Sequence, residues 1–222
     1  MSEPGRDSVH RDEVQAPPPW RLTGIGWIIV CRAAPGWVAG AGRLVGGPAA
    51  LMIVHYRSSP VGPYEELLYV PGRFAVRVGD RVERHWSVTH IFVSTRESVL
   101  GGRLNWGLPK EQAQFDVSGA RDGGSETTLC TVGGNPLFEA TLRTLGPRLP
   151  AFTWPWRFTL AQERDGHRFV TRIRGSGWIR YGRVVHMWGD GMRFPDLADE
   201  CPLFAVRIEA FRIVFPAARI VP

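Results

Sequence analysis

At 222 residues and 44% hydrophobic composition the chain is long enough to bury a sizeable core in one domain, and no apolar run approaches the roughly 18 residues of a membrane span. A net charge of +6 admits nucleic acid, and Trp154-Pro155-Trp156-Arg157-Phe158 and Trp178-Ile179-Arg180-Tyr181 mix aromatic and basic residues as single-strand binders do. The arginines are nonetheless scattered, without a basic run or a binding motif, so neither a nucleic-acid nor a membrane partner is expected and attraction of a small anion explains the charge with less.

Residues 1–19 are polar, charged and proline-rich without an apolar signal segment, and read as a flexible tail on a cytoplasmic protein; residues 20–222 read as a single domain. With 26 glycines and 18 prolines between short apolar runs, strands and turns are favoured over helices. A first strand is expected over residues 23–32, apolar enough to be buried on both faces, then a glycine-rich loop over 35–48. Strands follow at 49–56, 64–70, 74–78 and 85–93.

Ser94-Thr95-Arg96-Glu97 has the capping-box pattern and predicts the main helix, over residues 95–105. Gly101 and Gly102 weaken such a helix by about 1 kcal/mol each relative to alanine, so close backbone packing is the expected reason for them. Gly107 fits a left-handed terminator and Pro109 forbids continuation, which leaves Lys110 at the start of an extended segment reaching Phe115.

Further strands are expected at 127–132, 137–144, 157–163, 169–179 and 183–188, with hairpin turns at Gly123-Gly124 and Asp165-Gly166. Residues 190–202 read as irregular, with a short helical turn near Leu197. In the final strand Phe204, Val206 and Ile208 have one parity and Phe211, Ile213 and Phe215 the other, so a β-bulge near Ala210 is expected to bring both sets to one core. This many antiparallel strands with one helix predicts a mainly β fold, α+β at its margins, closed into a barrel or cone.

Cys31, Cys130 and Cys201 are far apart and odd in number, as expected of reduced, buried thiols. His85 and His90, five apart, would face opposite sides of a strand, and no histidine cluster is visible. Gly175-Ser176-Gly177 lacks the nucleophile-elbow pattern and there is no phosphate loop, so these segments read as structural.

Chemistry concentrates on Gly101-Gly102-Arg103-Leu104-Asn105-Trp106-Gly107-Leu108-Pro109-Lys110-Glu111, because Lys110 is the only lysine among the 27 basic residues. A G+C-rich coding sequence explains the scarcity. The retained position is informative, because only lysine offers an amine that can lose its proton and attack a carbonyl. A leftover surface lysine is the bland alternative.

The pattern Gly-Arg-x-x-x-Gly-x-Pro-Lys, here Gly102 to Lys110, resembles the active-site segment of the acetoacetate decarboxylase family, in which the lysine after the proline forms a Schiff base with a β-keto acid. Gly62-Pro63-Tyr64-Glu65-Glu66-Leu67 resembles the family's second active-site strand, whose glutamate would be Glu66. Pro18-Pro19-Trp20 and Phe215-Pro216-Ala217-Ala218 resemble its entry and closing strands.

The resemblance implies a homo-oligomeric lyase that decarboxylates a β-keto acid through an iminium on Lys110, with no metal or organic cofactor. Glu66 would position the substrate or move a proton, or else be one half of a salt bridge to an arginine. Tyr64 would line the substrate site or simply pack there, and Arg103 would be structural. A free lysine amine, with pKa near 10.4, is neutral in only about one molecule in 2,500 at pH 7, so the reading needs walls that exclude water; Trp106 and Leu108 are the candidates.

The chain departs from the family at several positions. Glu111 replaces the family's second lysine and, on an extended segment, points away from Lys110. Gly24 stands where the family offers an arginine, and Leu51 where it offers a second pocket glutamate. A bulkier, more apolar keto acid therefore remains open as substrate, as does an aldol, dehydration or cyclisation step through the same Schiff base, or a non-catalytic small-molecule binder on the same fold.

Overall fold

The structure, a computed structural model, describes residues 16–32, 42–78, 80–119, 124–153, 158–198 and 202–221. Residues 1–15 of the expected tail, part of the glycine-rich loop, Gly123, the Trp154–Arg157 segment and Cys201 lie outside them.

In chain order the elements are β1 (Trp20–Cys31), β2 (Arg43–Gly46), β3 (Ala49–Ser58), β4 (Tyr64–Val70), β5 (Arg73–Val78), β6 (Arg81–Trp86), β7 (His90–Val93), α1 (Arg96–Trp106), β8 (Lys110–Gln112), β9 (Gln114–Gly119), β10 (Ser125–Val132), β11 (Asn135–Thr144), β12 (Leu149–Phe152), β13 (Phe158–Arg164), β14 (His167–Gly189), β15 (Phe204–Phe215) and β16 (Arg219–Val221). The expectation of a mainly β chain with one main helix holds among the described residues. The hydrogen-bonded order runs β2-β5-β6-β13-β14-β15-β1-β3-β4-β7-β8. The described pairings do not return from β8 to β2, so the closed barrel is not among them.

Alternation along the central strands divides the interior into two cores. From β1, β3 and β4, the residues Trp27, Ile29, Leu51, Ile53, Leu67 and Tyr69 enter one cluster, centred on Phe138 and Phe194. The intervening Leu22, Val54, Tyr56 and Tyr64 enter the other, which packs on α1. The bulge expected near Ala210 is present: Trp178 pairs with Ala210 but Ile179 with Ile208, and Gly24 pairs with Phe211 but Gly26 with Ile208. The extra residue resets the parity, so Ile208, Phe211, Ile213 and Phe215 line one cavity. Phe204 and Val206, expected with them, do not line it, and Phe204 is exposed.

Three expectations are corrected. The run 85–93 is two strands: β6 pairs with β5, whereas β7 pairs with β4 and β8, and the chain crosses between them where Thr89 N–H donates to Tyr69 O at 3.0 Å. Conversely, 169–179 and 183–188 belong to one strand of 23 residues, β14. Gly182, which reads as a break, is there because a Cβ would lie 2.4 Å from Cζ3 of Trp27. The capping box does not form, since α1 has Thr95 at its N-cap without a side-chain hydrogen bond. Ser94 instead exchanges bonds with Glu65, its Oγ accepting the Glu65 amide at 2.9 Å and its amide donating to the Glu65 carbonyl at 3.0 Å.

Asp165 (φ 51°) and Gly166 (φ 74°) make the expected β13–β14 turn, both in the left-handed region that a two-residue hairpin needs. Residues 190–198 are irregular as expected, with a turn at Ala198. There Asp190 Oδ1 accepts the amides of Met192, Arg193 and Phe194, folding the loop so that Phe194 is buried in the aromatic cluster.

Candidate active site

The lysine owes its position to a β-α-β crossover. β7 and β8 are parallel neighbours, with Ile91 opposite Lys110, and such neighbours need a crossover connection, here α1. α1 stops where expected: Gly107 adopts φ 64°, ψ 17°, and its amide closes on Arg103 O at 3.1 Å. Leu108 N–H then donates to Gly102 O at 3.2 Å, and Lys110 N–H to Leu108 O at 2.8 Å across Pro109. Arg103 Nε donates to the Lys110 carbonyl at 2.8 Å, which gives that arginine a structural part in the corner. Lys110 points inward and is 3% exposed, while Glu111 faces out.

The helical glycines are filled from outside the helix. A Cβ on Gly101 would stand 2.5 Å from Cζ2 of Trp20, and one on Gly102 2.5 Å from Cδ of Lys110. The lysine chain therefore lies across Gly102. Ser98, one turn earlier on the same helix face, meets its end: Lys110 Nζ donates to Ser98 Oγ at 2.9 Å and to Glu66 Oε2 at 2.8 Å. The ammonium also sits 5.1 Å from the centroid of the Tyr64 ring.

β3 and β4 supply the other wall in register, with Met52, Val54 and Tyr56 opposite Leu68, Glu66 and Tyr64. Glu66 is 3% exposed. Its Oε2 faces Lys110 while its Oε1 accepts from Tyr56 Oη at 3.0 Å, so each oxygen has a donor. Burial first, and then the Glu66 charge, push both tyrosine hydroxyls well above their ordinary range. Both stay protonated, and Tyr56 donates to Glu66.

These groups stand in a cavity of about 210 Å3 whose walls are otherwise almost wholly apolar. Every candidate from the sequence lines it: Tyr64, Glu66, Trp106, Leu108 and Lys110. Trp106 is fixed by donation from Nε1 to Pro216 O at 2.7 Å and by edge contacts to Trp20 and Phe215 at 5.0 and 5.5 Å between centroids. The entry and closing segments of the chain therefore meet on one wall of the site.

Ser98 and Tyr56 were not foreseen. Tyr56 depends on the β3–β4 register, which no local pattern reveals; Ser98 lies four residues before Gly102, and helical periodicity would have flagged it had the lysine been placed across that glycine. Neither Gly24 nor Leu51 lines the cavity. A Cβ on Gly24 would meet His55 O at 2.2 Å, and Leu51 belongs to the opposite core. Among the described lining residues Lys110 is the single cation and Glu66 the single carboxylate. No group of histidine, cysteine, aspartate or glutamate among the described residues could hold a metal, and no described helix is long and apolar enough to cross a membrane.

Fold and cavity together define a mainly β protein with one helix and a buried lysine–carboxylate pair at an apolar site. The chain belongs to the acetoacetate decarboxylase family, whose sequence model matches residues 43–177, and it is an enzyme of that type. No curated protein sequence matches it.

Among solved structures it is similar to an acetoacetate decarboxylase-like enzyme from Sphingomonas wittichii RW1 (TM-score 0.68, 14% identity, 98% of each chain covered). It is also similar to acetoacetate decarboxylase from Legionella pneumophila subsp. pneumophila str. Philadelphia 1 (TM-score 0.64, 14% identity, 93% of this chain and 88% of that one). A third likeness is to the enduracididine biosynthesis enzyme MppR with HEPES bound (TM-score 0.62, 15% identity, 95% and 90% covered). At these identities the likeness is one of fold.

Proposed function

We propose that the protein decarboxylates β-keto acids through an iminium on Lys110. The observation that carries this reading is the amine itself: the only lysine of the chain, almost fully withdrawn from water, held 2.8 Å from one carboxylate in an apolar cavity. In such a pair the proton passes from the ammonium to Glu66 without being released to solvent, leaving a neutral amine beside a carboxylic acid. The amine adds to the ketone carbon, and Glu66 returns the proton to the carbinolamine oxygen, which leaves as water.

The resulting iminium lies β to the substrate carboxylate. The bond to that carboxylate breaks, its electrons form the enamine and carbon dioxide departs. Positive iminium and negative carboxylate become two neutral species, a loss of charge separation that an apolar medium favours. Protonation of the enamine carbon and addition of water then release the ketone and restore the lysine. Ser98 and Tyr56 hold Lys110 and Glu66 in line, and Trp106 and Leu108 exclude water. Exposed Phe152, Trp178 and Tyr181 on β12 and β14 support the further reading of a homo-oligomer.

Borohydride reduction in the presence of a β-keto acid tests this reading. A substrate-dependent mass increase confined to Lys110, with carbon dioxide released in its absence, is the expected outcome. Trapping on Lys110 without carbon dioxide release would favour an aldol, dehydration or cyclisation step instead; MppR has been solved with a condensation product of pyruvate and imidazole 4-carboxaldehyde. Ligand binding without trapping would indicate a non-catalytic binder.

A further inference from the structure

Resting on the Schiff-base reading above, we propose that the substrate is a β-keto acid whose ketone carries an aryl ring or a medium-length alkyl chain, and that acetoacetate itself is a poor substrate. Among its described lining residues the cavity carries few polar side chains. Lys110 and Tyr56 both bond to Glu66 with Tyr64 beside them, and Thr153 Oγ1 is taken up by the Gly175 backbone, whereas Leu22, Met52, Leu160, Ile173, Ile208 and Ile213 are apolar. An apolar cavity of about 150 Å3 takes up a benzene ring; this one, at about 210 Å3, has room for a ring or a short chain besides the reacting carbons.

The walls also state what is refused. A second carboxylate or a hydroxyl on the far end of the substrate would meet described side chains that are apolar or, at Thr153, already hydrogen-bonded. Dicarboxylic and polyhydroxylated keto acids are therefore disfavoured. Acetoacetate ends in a methyl group and leaves most of the apolar wall uncovered, forfeiting the contacts for which the cavity is built. Each methylene moved from water to this wall is worth about fourfold in transition-state affinity, so 3-oxooctanoate, with four more of them, should exceed acetoacetate in kcat/KM by about 250-fold.

The test uses the full chain and a series of acetoacetate, 3-oxohexanoate, 3-oxooctanoate and 3-oxo-3-phenylpropanoate, read as enzymatic carbon dioxide release. Beside it, binding of butanoate, octanoate and 3-phenylpropanoate, none of which can form an imine, is measured by calorimetry. Both series should rise with apolar size, and Met52→Trp, which fills part of the cavity, should lower the ratio of kcat/KM for 3-oxooctanoate over acetoacetate at least tenfold.

A flat or falling response in both series overturns the proposal. Borohydride trapping on Lys110 together with a flat response would leave the Schiff base standing and remove the apolar substrate. Absence of trapping with every keto acid, together with acid binding that tightens with size, would remove the Schiff base and keep the apolar ligand class.

Discussion

Gly102 and Lys110 share one space: the aliphatic chain of the lysine occupies the place where a side chain on the helix would stand, with Cδ and Cε only 2.5 and 2.7 Å from the position of a Cβ. The helix thus forms a track that carries the amine to Ser98 and Glu66. Gly102→Ala must displace the lysine, since the rest of that contact is the helix itself. A displacement near 1 Å at a reacting centre costs about 10²-fold, so kcat should fall by about that factor while the protein stays folded. Gly101→Ala is the comparison. It strikes the Trp20 ring at 2.5 Å and should cost about 1–3 kcal/mol of stability by overpacking, with a smaller loss of kcat. Kinetics and urea unfolding of both variants check this; equal kcat losses would separate the glycine from the lysine.

The pairing of Lys110 with Glu66 allows the needs of the fold to be separated from those of the chemistry. Lys110→Met leaves a carboxylate buried and unpaired, which should destabilise the protein by about 3–5 kcal/mol. Adding Glu66→Gln removes that charge yet still offers an oxygen to Tyr56 Oη, and should recover most of the loss. Neither variant should retain activity. Glu66→Gln alone should lower kcat by about 10²–10⁴-fold, the range for loss of a general acid–base group. If the double variant is no more stable than Lys110→Met alone, the buried charge is not what the single substitution exposes.

The lysine corner was legible because its signals are local. A glycine pair, a left-handed glycine and a proline within ten residues prescribe a helix end and an inward-facing extended residue, and the alternation Tyr64, Glu66, Leu68 on β4 sets Glu66 on the face it occupies. Tyr56 was not legible because it acts through the β3–β4 register, and Ser98 because its part shows only once the lysine chain lies across Gly102. The same holds for the fold. Parity in the last strand exposed the bulge near Ala210, whereas the break at residues 87–89 and the continuity of β14 through Gly182 depend on contacts with Tyr69 and Trp27. The departures read at Gly24 and Leu51 stand in the packing: the first position has no room for a side chain and the second faces the other core.

On the sheet face away from the lysine, a buried charged cluster makes stability depend on pH. Glu126 Oε1 accepts from Trp27 Nε1 at 2.8 Å and from Arg207 Nη1 at 2.6 Å, and lies 3.4 Å from His55 Nε2; His55 Nδ1 contacts Glu65. Burial alone would lower the His55 pKa, but the hydrogen bonds and charges of Glu126 and Glu65 outweigh it and raise it from 6.5 to about 9. Burial likewise works against the Glu126 carboxylate, but bonds to His55 and Arg207 outweigh it and hold its pKa at about 2.

For His55 the folded value lies above the unfolded one, so its stabilisation is complete below pH 6.5 and lost as pH rises through 9. For Glu126 it lies below, so its contribution is complete above pH 4.5 and lost as pH falls toward 2. The cluster is therefore most stabilising between those limits. Burial pushes the Cys130 thiol from 9.0 up to about 12, and that group begins to erode stability only above pH 9. His90, lowered chiefly by burial with Asp190 opposing, acts below its ordinary value of 6.5. Among the described residues the interval between pH 6.5 and 9 thus reports His55. Urea unfolding across it should show a loss of at most about 3 kcal/mol in the parent protein and a much flatter profile in His55→Gln. A flat parent profile would mean that the imidazolium is not held by these carboxylates.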